Sequence, residues 1–326
     1  MSATAQALTE LVLAKAAEIG FARAGVTGTE SPGRYDKYLE WLERDDHGSM
    51  AYMADDFHKR ARRNMRELLP EANSAVVVAL SYERADTGEA HDSEPRGRVA
   101  GYALGDDYHG VIKRKLATLG EALQEAADET LHMRACVDSA PLLERELAER
   151  AGLGFVAKNT MLITPGLGSY TLLGVLLTSA ELAATSPTRD RDCGTCTACL
   201  DACPTNAFRA PYELDAKRCI SYLTIESEAS VPEDLREGIG ARIFGCDTCQ
   251  DVCPYNAVAP TRSRVIPELM PRDDERARPS LSTLAQLGSN QHKRYVAGSA
   301  MRRNRREQLL RNVAIALGNV APVSYT

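Results

Sequence analysis

CGTCTACLDACP, residues 193–204, places four cysteines within eleven positions and closes on a proline. The pattern is C-x2-C-x2-C-x3-C-P, the spacing of bacterial two-cluster ferredoxins, in which the fourth cysteine serves the other cluster. The reason is geometric. Three thiolates on one tight loop grip three corners of a 4Fe–4S cube, while the fourth, past a short turn, faces away. A second crowd follows at Cys219, Cys246, Cys249 and Cys253, again with a proline next, Pro254. On this logic Cys193, Cys196, Cys199 and Cys253 are expected to hold one cluster. Cys203, Cys219, Cys246 and Cys249 are expected to hold the second, with a long insertion before Cys246 that loop-closure entropy tolerates. Two structural zinc sites are the bland alternative. Zinc takes separated C-x2-C pairs, which this crowding fits poorly.

Working outward, 326 residues suffice for about two domains. With 44% hydrophobic and 26% charged residues and a net charge of −6, the composition is that of a globular protein. No run of eighteen apolar residues predicts a membrane span. The N-terminus, MSATAQALTELVLAKAAEIGF, has neither a basic n-region nor an apolar h-region. It reads as an amphipathic helix with Leu8, Leu11, Val12, Ala16 and Ile19 on one face. A cytoplasmic location is expected, where nine cysteines point to metal and not to disulfides. The ninth, Cys136, reads as a small buried hydrophobe.

The first ~185 residues alternate helical and strand patterns. SAVVVALSY (74–82) is a β-branched apolar run suited to a buried strand, and GVIKRKLATLGEALQEAA (110–127) carries Ile112, Leu116, Leu119 and Leu123 at helical spacing. HMRACVDSAP (132–141) looks like a strand ending at a carboxylate. PLLERELAERAG (141–152) looks like a helix with proline at its start and glycine at its stop. NTMLIT, PGLG and SYTLLGVLLT together predict a β-hairpin. The cysteine module spans about 186–260, a Pro- and charge-rich linker follows at 267–279, and two or three short helices end the chain.

A two-cluster ferredoxin needs only some 60 to 80 residues, so the long preceding region argues for a catalytic domain. GLGFVA (152–157) matches G-x-G-x-x-A but follows a charged helix, so Gly152 is better read as a helix cap. DYHGVI (107–112) begins like a corrinoid-binding D-x-H-x-x-G but lacks its glycine, and His109 is read as structural or surface. Asp138 reads equally as a helix cap or a catalytic acid.

YALGDDYH (102–109), the run 137–163 that opens VDSAPLLER, GSYTLLGVLLT (168–178) and CGTCTACLDACPTNAF (193–208) together resemble the epoxyqueuosine reductase family. CISYLTIE (219–226), FGCDTCQDVCPYN (244–256) and GSAMRRNRREQLLRNVAIALGN (298–319) extend the resemblance over nearly the whole chain. It implies an α+β chain. A cobalamin-binding α/β catalytic domain (1–185) precedes a ferredoxin-like two-cluster 4Fe–4S module (186–260), then a linker and C-terminal helical tRNA-binding segment (261–326). The implied activity is reduction of epoxyqueuosine to queuosine in a tRNA anticodon loop, with cobalamin reduced through the clusters. Asp138 matches the family's proton donor, which calls for a carboxyl pKa raised by desolvation. The implied cobalamin contacts are Arg60, Ala100, Asp138, Leu162, Leu173, Ser221, Gly245, Cys246 and Asp247. Plain strand core remains the other reading of Leu162 and Leu173.

Ser289 to Asn312 holds seven Lys or Arg against one acid, Glu307. That local excess on an acidic chain suits phosphate contacts, with Lys293, Arg302, Arg303 and Arg305 as candidates. A solvated helix face is the competing reading. A second basic stretch, HKRARRNMR (58–66), could border the same cleft. The expected partners are tRNA and an external electron donor, with no membrane and a monomeric chain. A reductive dehalogenase-type enzyme, a non-catalytic electron carrier and a zinc-stabilised RNA-binding module are the rival classes.

Overall fold

SAVVVALS becomes the centre of the architecture, because every residue of the strand Ser74–Ser81 is buried. Its alternation divides two cores. Val76, Val78 and Leu80 point into one apolar cluster, and Ala75, Val77 and Ala79 into another. A strand buried on both faces reads as a continuous apolar run, and this one does. The computed structural model describes residues 3–82, 94–187, 191–257, 265–273 and 275–320. Within them the central sheet is antiparallel throughout. Ser74–Ser81 lies between Arg23–Gly28 and Thr171–Thr178, and Met133–Cys136 pairs with the far side of Thr171–Thr178. Mixed helix and sheet is the architecture expected.

The first cluster lies under two helices, Ala3–Ile19 and Tyr108–Ala126, which pack against each other. Ile112, Leu116, Leu119 and Leu123 are all fully buried, as their spacing predicts. On the N-terminal helix the inward face is Ala5, Thr9, Val12 and Ala16. Leu11, expected inside, is exposed, because it lies about 100° around the axis from Val12. The second cluster sits on the opposite side of the sheet, where Ala61, Met65 and Leu147 join Cys136. Burial pushes the Cys136 thiol up to about 11, so it is the inert buried hydrophobe expected.

Three local expectations are corrected. Leu162–Ile163 pairs antiparallel with Phe155–Val156, not with Thr171–Thr178, so the hairpin through PGLG does not form as a ladder. Only an isolated bridge, Thr164 to Gly168, closes that turn. Thr171–Thr178 instead finds two partners in the main sheet, pairing along its whole length with Ser74–Ser81 and over four positions with Met133–Cys136, which offers far more pairing than a local hairpin. The strand before Asp138 ends at Cys136, and the next helix is Glu144–Arg150, starting three residues after Pro141. Gly152 does cap that helix, at φ 79°.

The later segments close back on this core. Arg242–Phe244 pairs parallel with Arg98–Val99. Of the terminal helices Leu281–Ala285, Ser289–Val296 and Arg306–Val320, the last sends Leu309, Val313 and Ala316 into the first cluster. The boundary expected after residue 260 lies outside the described residues.

Gly174 shows how tightly helix and sheet meet. A Cβ there would sit 2.5 Å from Ile112 Cγ2 and 3.2 Å from Leu116 Cδ1. Overpacking of this kind costs about 1–3 kcal/mol. Gly174→Val is therefore expected to lower the thermal midpoint by several degrees, measured by circular dichroism against the unmodified chain.

Candidate functional site

The eight thiols gather in the two sets that their spacing predicts. Cys193, Cys196, Cys199 and Cys253 line one cavity together with Asn159 and Tyr255. Cys219, Cys203, Cys246 and Cys249 sense one another's charge and form the second group, and Cys199 in turn bears on Cys249, so the sets are neighbours. No three His, Cys, Asp or Glu side chains among the described residues converge as for a single ion. The first four thiols instead border a small cavity. Backbone N–H groups point at the sulfurs, from Lys158 to Cys193 Sγ (3.5 Å) and from Ala207 to Cys203 Sγ (3.3 Å). Such bonds tune cluster potentials.

The brace for these loops comes from the region that precedes the cysteine module. Lys158 Nζ donates to the carbonyls of Gly194 (2.7 Å) and Cys196 (2.9 Å), fixing the first cysteine loop. Next to it, Asn159 Nδ2 donates to the carbonyl of Cys249 (3.2 Å) in the other set. One dipeptide thus ties both thiol groups to the strand Phe155–Val156 and its partner. The sequence reading missed it. The only signal was a polar pair between two apolar runs.

Asp138 stands exposed on the loop after Met133–Cys136, in the left-handed region at φ 47°. A non-glycine residue held there reflects constraint from its surroundings. Its backbone N–H donates to Glu144 Oε1 at 2.7 Å, which fixes the loop. The helix Glu144–Arg150 has Leu143 as its cap and no side-chain capping bond, so the capping reading of Asp138 falls. Asp138 Oδ2 instead meets His109 Nε2 at 3.0 Å and Arg303 at 3.4 Å. The other imidazole nitrogen, Nδ1, meets Asp107 Oδ1 at 2.7 Å. Arg303 also pairs with Glu226 at 3.1 Å.

The electrostatics follow from these contacts. Partial desolvation by the surrounding side chains pushes the Asp138 carboxyl up, although its tip reaches solvent, but the hydrogen bond and charge of His109, the charge of Arg303 and the Tyr108 hydroxyl hold it below its ordinary value. The raised pKa expected for a proton donor is therefore corrected. Burial pulls the His109 imidazole down, and the two flanking carboxylates more than reverse this, so it rises above the usual histidine value. Glu144, desolvated and facing Asp138, is pushed up to about 8. His109, read from sequence as a structural or surface residue, is thus part of the site. No local motif marks it, because its partner lies in another element.

The remaining predicted contacts fall into groups. Gly245, at φ 70°, runs so close to Ala100 that a Cβ would sit 2.6 Å from the Ala100 methyl. Asp247 Oδ2 accepts from Gly101 N at 2.7 Å, and burial raises its carboxyl to about 6. Thr224 Oγ1 accepts from Gly245 N and donates to the carbonyl of Ser221, so Ser221, Gly245, Cys246 and Asp247 share one neighbourhood with Ala100. Tyr102 is half-buried there and feels the charges of Asp138 first and Asp247 next after its own desolvation. Leu162 and Leu173 belong to the second apolar cluster, consistent with strand core. Arg60 lies apart, exposed and paired with Glu67 at 3.3 Å.

At the C-terminal end a cavity of about 570 Å³ is lined by Lys293, Arg302, Arg305, Arg306 and His292. The structure brings together three of the four predicted phosphate contacts here. Arg303 turns instead toward Asp138 and Glu226, and Arg311 is spent on the carbonyls of Leu223, Ser227 and Ala229.

Comparison with known proteins agrees with these features. Residues 192–256 match a family model described as a 4Fe-4S double cluster binding domain, and residues 62–139 match one described as "Epoxyqueuosine reductase QueG, DUF1730". An epoxyqueuosine reductase of Xanthomonas campestris is 43% identical over 311 residues, covering 93% of this chain and 84% of that one. A crystal structure of an epoxyqueuosine reductase with an epoxyqueuosine-modified tRNA-Tyr stem loop superposes with TM-score 0.84 at 34% identity, over 96% of this chain and 81% of that one. The structure of the Bacillus subtilis enzyme, with its catalytic aspartate loop swung out of the active site, gives TM-score 0.84 at 33% identity, over 96% and 82%. Sustained along almost its whole length, this likeness shows that the chain belongs to the epoxyqueuosine reductase family, a family of oxidoreductases.

Proposed function

We propose that the chain reduces epoxyqueuosine to queuosine in the anticodon loop of tRNA, using two 4Fe–4S clusters and cobalamin, with Asp138 delivering protons to the departing oxygen. The observation that carries this reading is the position of Asp138. It is exposed between His109 and Arg303, with the basic tail on one side and, past Tyr102, the segment around Cys246 on the other. Cys193, Cys196, Cys199 and Cys253 would hold one cluster, and Cys203, Cys219, Cys246 and Cys249 the other. When bound, the clusters supply single electrons and the cobalt of cobalamin a centre able to hold two.

The residues present fit a corrinoid in two respects. Close packing of Ala100 on Gly245 would offer a corrin a small-residue surface beside Cys246, where the Gly101 N–H and the Asp247 carboxylate already hold each other in place. Both nitrogens of His109 are engaged by carboxylates, which leaves that histidine unsuited to bind cobalt and fitted to serve Asp138. Ala100, Ser221, Gly245, Cys246 and Asp247 would form one wall, Leu162 and Leu173 an apolar border, and Arg60 an outlying contact. The protein's share is to orient these groups and exclude water.

The substrate is a polyanion, and the reaction site must receive a nucleotide splayed from its loop. Lys293, Arg302 and Arg305 would hold flanking phosphates, with Arg303 between them and the acid. A tRNA substrate would put the work in the cytoplasm. An external one-electron donor would recharge a monomeric enzyme. Among the described residues no helix is long and apolar enough to cross a membrane.

Anaerobic protein supplied with cobalamin, a strong reductant and an epoxyqueuosine-bearing stem loop is expected to yield queuosine on nucleoside analysis; an unchanged epoxide would sink the reading. Asp138→Asn should retain cofactor and RNA binding yet lose about 10²-fold or more in turnover, the range for a general acid. Lys293→Gln and Arg302→Gln should each weaken RNA binding and flatten the slope of log affinity against log salt by about 1, read by fluorescence anisotropy across a salt series.

A further inference from the structure

Converting an epoxide to an alkene consumes two electrons and two protons, and the oxygen leaves as water. Both protons end on the same oxygen. A single carboxyl holds one, so an acid serving this oxygen must be refilled within the turnover or backed by a second donor. Asp138, moreover, is held ionised by its surroundings.

The geometry supplies the second donor. His109 lies within hydrogen-bond reach of two carboxylates, Asp107 Oδ1 at 2.7 Å on Nδ1 and Asp138 Oδ2 at 3.0 Å on Nε2. Asp107 caps the helix Tyr108–Ala126 by accepting from the backbone N–H of His109 at 3.2 Å, so the same side chain anchors both the main chain and the ring. The ring stacks on Tyr108 at 4.1 Å between centroids, and its side chain is 24% exposed, enough for exchange with solvent. An imidazole bracketed in this way keeps both protons. The other groups facing the pair are Arg303 (3.4 Å from Asp138), the Tyr108 hydroxyl, and Glu144 on the Asp138 backbone. Tyr102, Glu226, Tyr52 and the cation Arg145 lie farther out, within electrostatic range of Asp138.

Resting on the reaction assigned above, we propose that His109 is the proton store of the site, passing its Nε2 proton to Asp138 Oδ2 for delivery to the oxygen, with Asp107 fixing the ring. In each transfer the His109 N–H bond breaks as the Asp138 O–H bond forms. That O–H bond then breaks as the substrate O–H bond forms. The electrons come from the external one-electron donor, which is oxidised while the epoxide carbons are reduced to the alkene. Solvent refills the imidazole through its exposed edge. His109 acts through Asp138 and is a positioning and supplying residue, not one that touches substrate.

The sign of the pH dependence follows from the carboxylate-raised imidazole. The store is full below its pKa and empties as pH rises through it, so turnover should fall on the alkaline side there. His109→Gln retains a hydrogen bond to Asp138 but carries no titratable proton. It should bind the stem loop with unchanged Kd, lose at least about tenfold in turnover, and lack the alkaline limb set by His109. His109→Ala should regain part of the rate on adding imidazole. Independently of turnover, NMR titration of the His109 ring in the protein without cofactor should give a midpoint above the usual histidine value. Asp138→Asn should move that midpoint down.

A Gln variant with the parental rate and pH profile would overturn the proposal and leave His109 a structural prop. So would an imidazole midpoint that ignores Asp138→Asn. If the unmodified enzyme produced no queuosine, the assigned reaction would fail, while the NMR arm would still decide whether His109 and Asp138 share a proton.

Discussion

Several carboxylates cannot stay ionised around one partly desolvated pocket unless cations stand between them. The surroundings of Asp138 obey that constraint. Asp107, Asp138, Glu144 and Glu226 converge from four elements; His109 and Arg303 pair with them directly, and the charges of Arg145 and Arg62 act from farther out. Exposed ion pairs contribute only about 0–1 kcal/mol each, so the arrangement is not explained by stability. Its effect is to sort the protons, with Asp138 held low, His109 held high and Glu144 pushed up as the desolvated neighbour. Sorting of this kind is how one pocket keeps a donor and a base at the same pH.

The cysteine arrangement was legible from spacing because a cluster loop carries its geometry in the chain itself. The C-x2-C-x2-C-x3-C-P run and the later cysteines form the two sets in space that their intervals imply. The central strand was legible for a similar reason, since a β-branched run buried on both faces has no polar phase to mislead. The PGLG turn misled because turn chemistry is local, whereas the pairing of Thr171–Thr178 was decided by Ser74–Ser81, nearly a hundred residues upstream.

The acid's environment was the least legible part. His109 is 29 residues from Asp138 and Arg303 is 165 residues away, so no window of sequence holds the three together. Desolvation alone argues for a raised carboxyl pKa, and only the fold shows two cations overriding it. Arg303 reads from sequence as a phosphate contact, but its neighbours in sequence line the basic cavity while it reaches Asp138.

One apolar cluster runs from Val12 to Ala316 and takes in residues from both ends of the chain. During translation this has a consequence. The N-terminal sheet and its two long helices leave the ribosome with an unfinished interior, and Leu309, Val313 and Ala316 arrive only after the whole cysteine module has been made. Contacts this distant in sequence form slowly, and until they do the nascent chain displays oily surface that invites chaperones. The same late closure delivers Arg303 to Asp138, so the pocket around Asp138 is completed only once the chain has been made past Arg303.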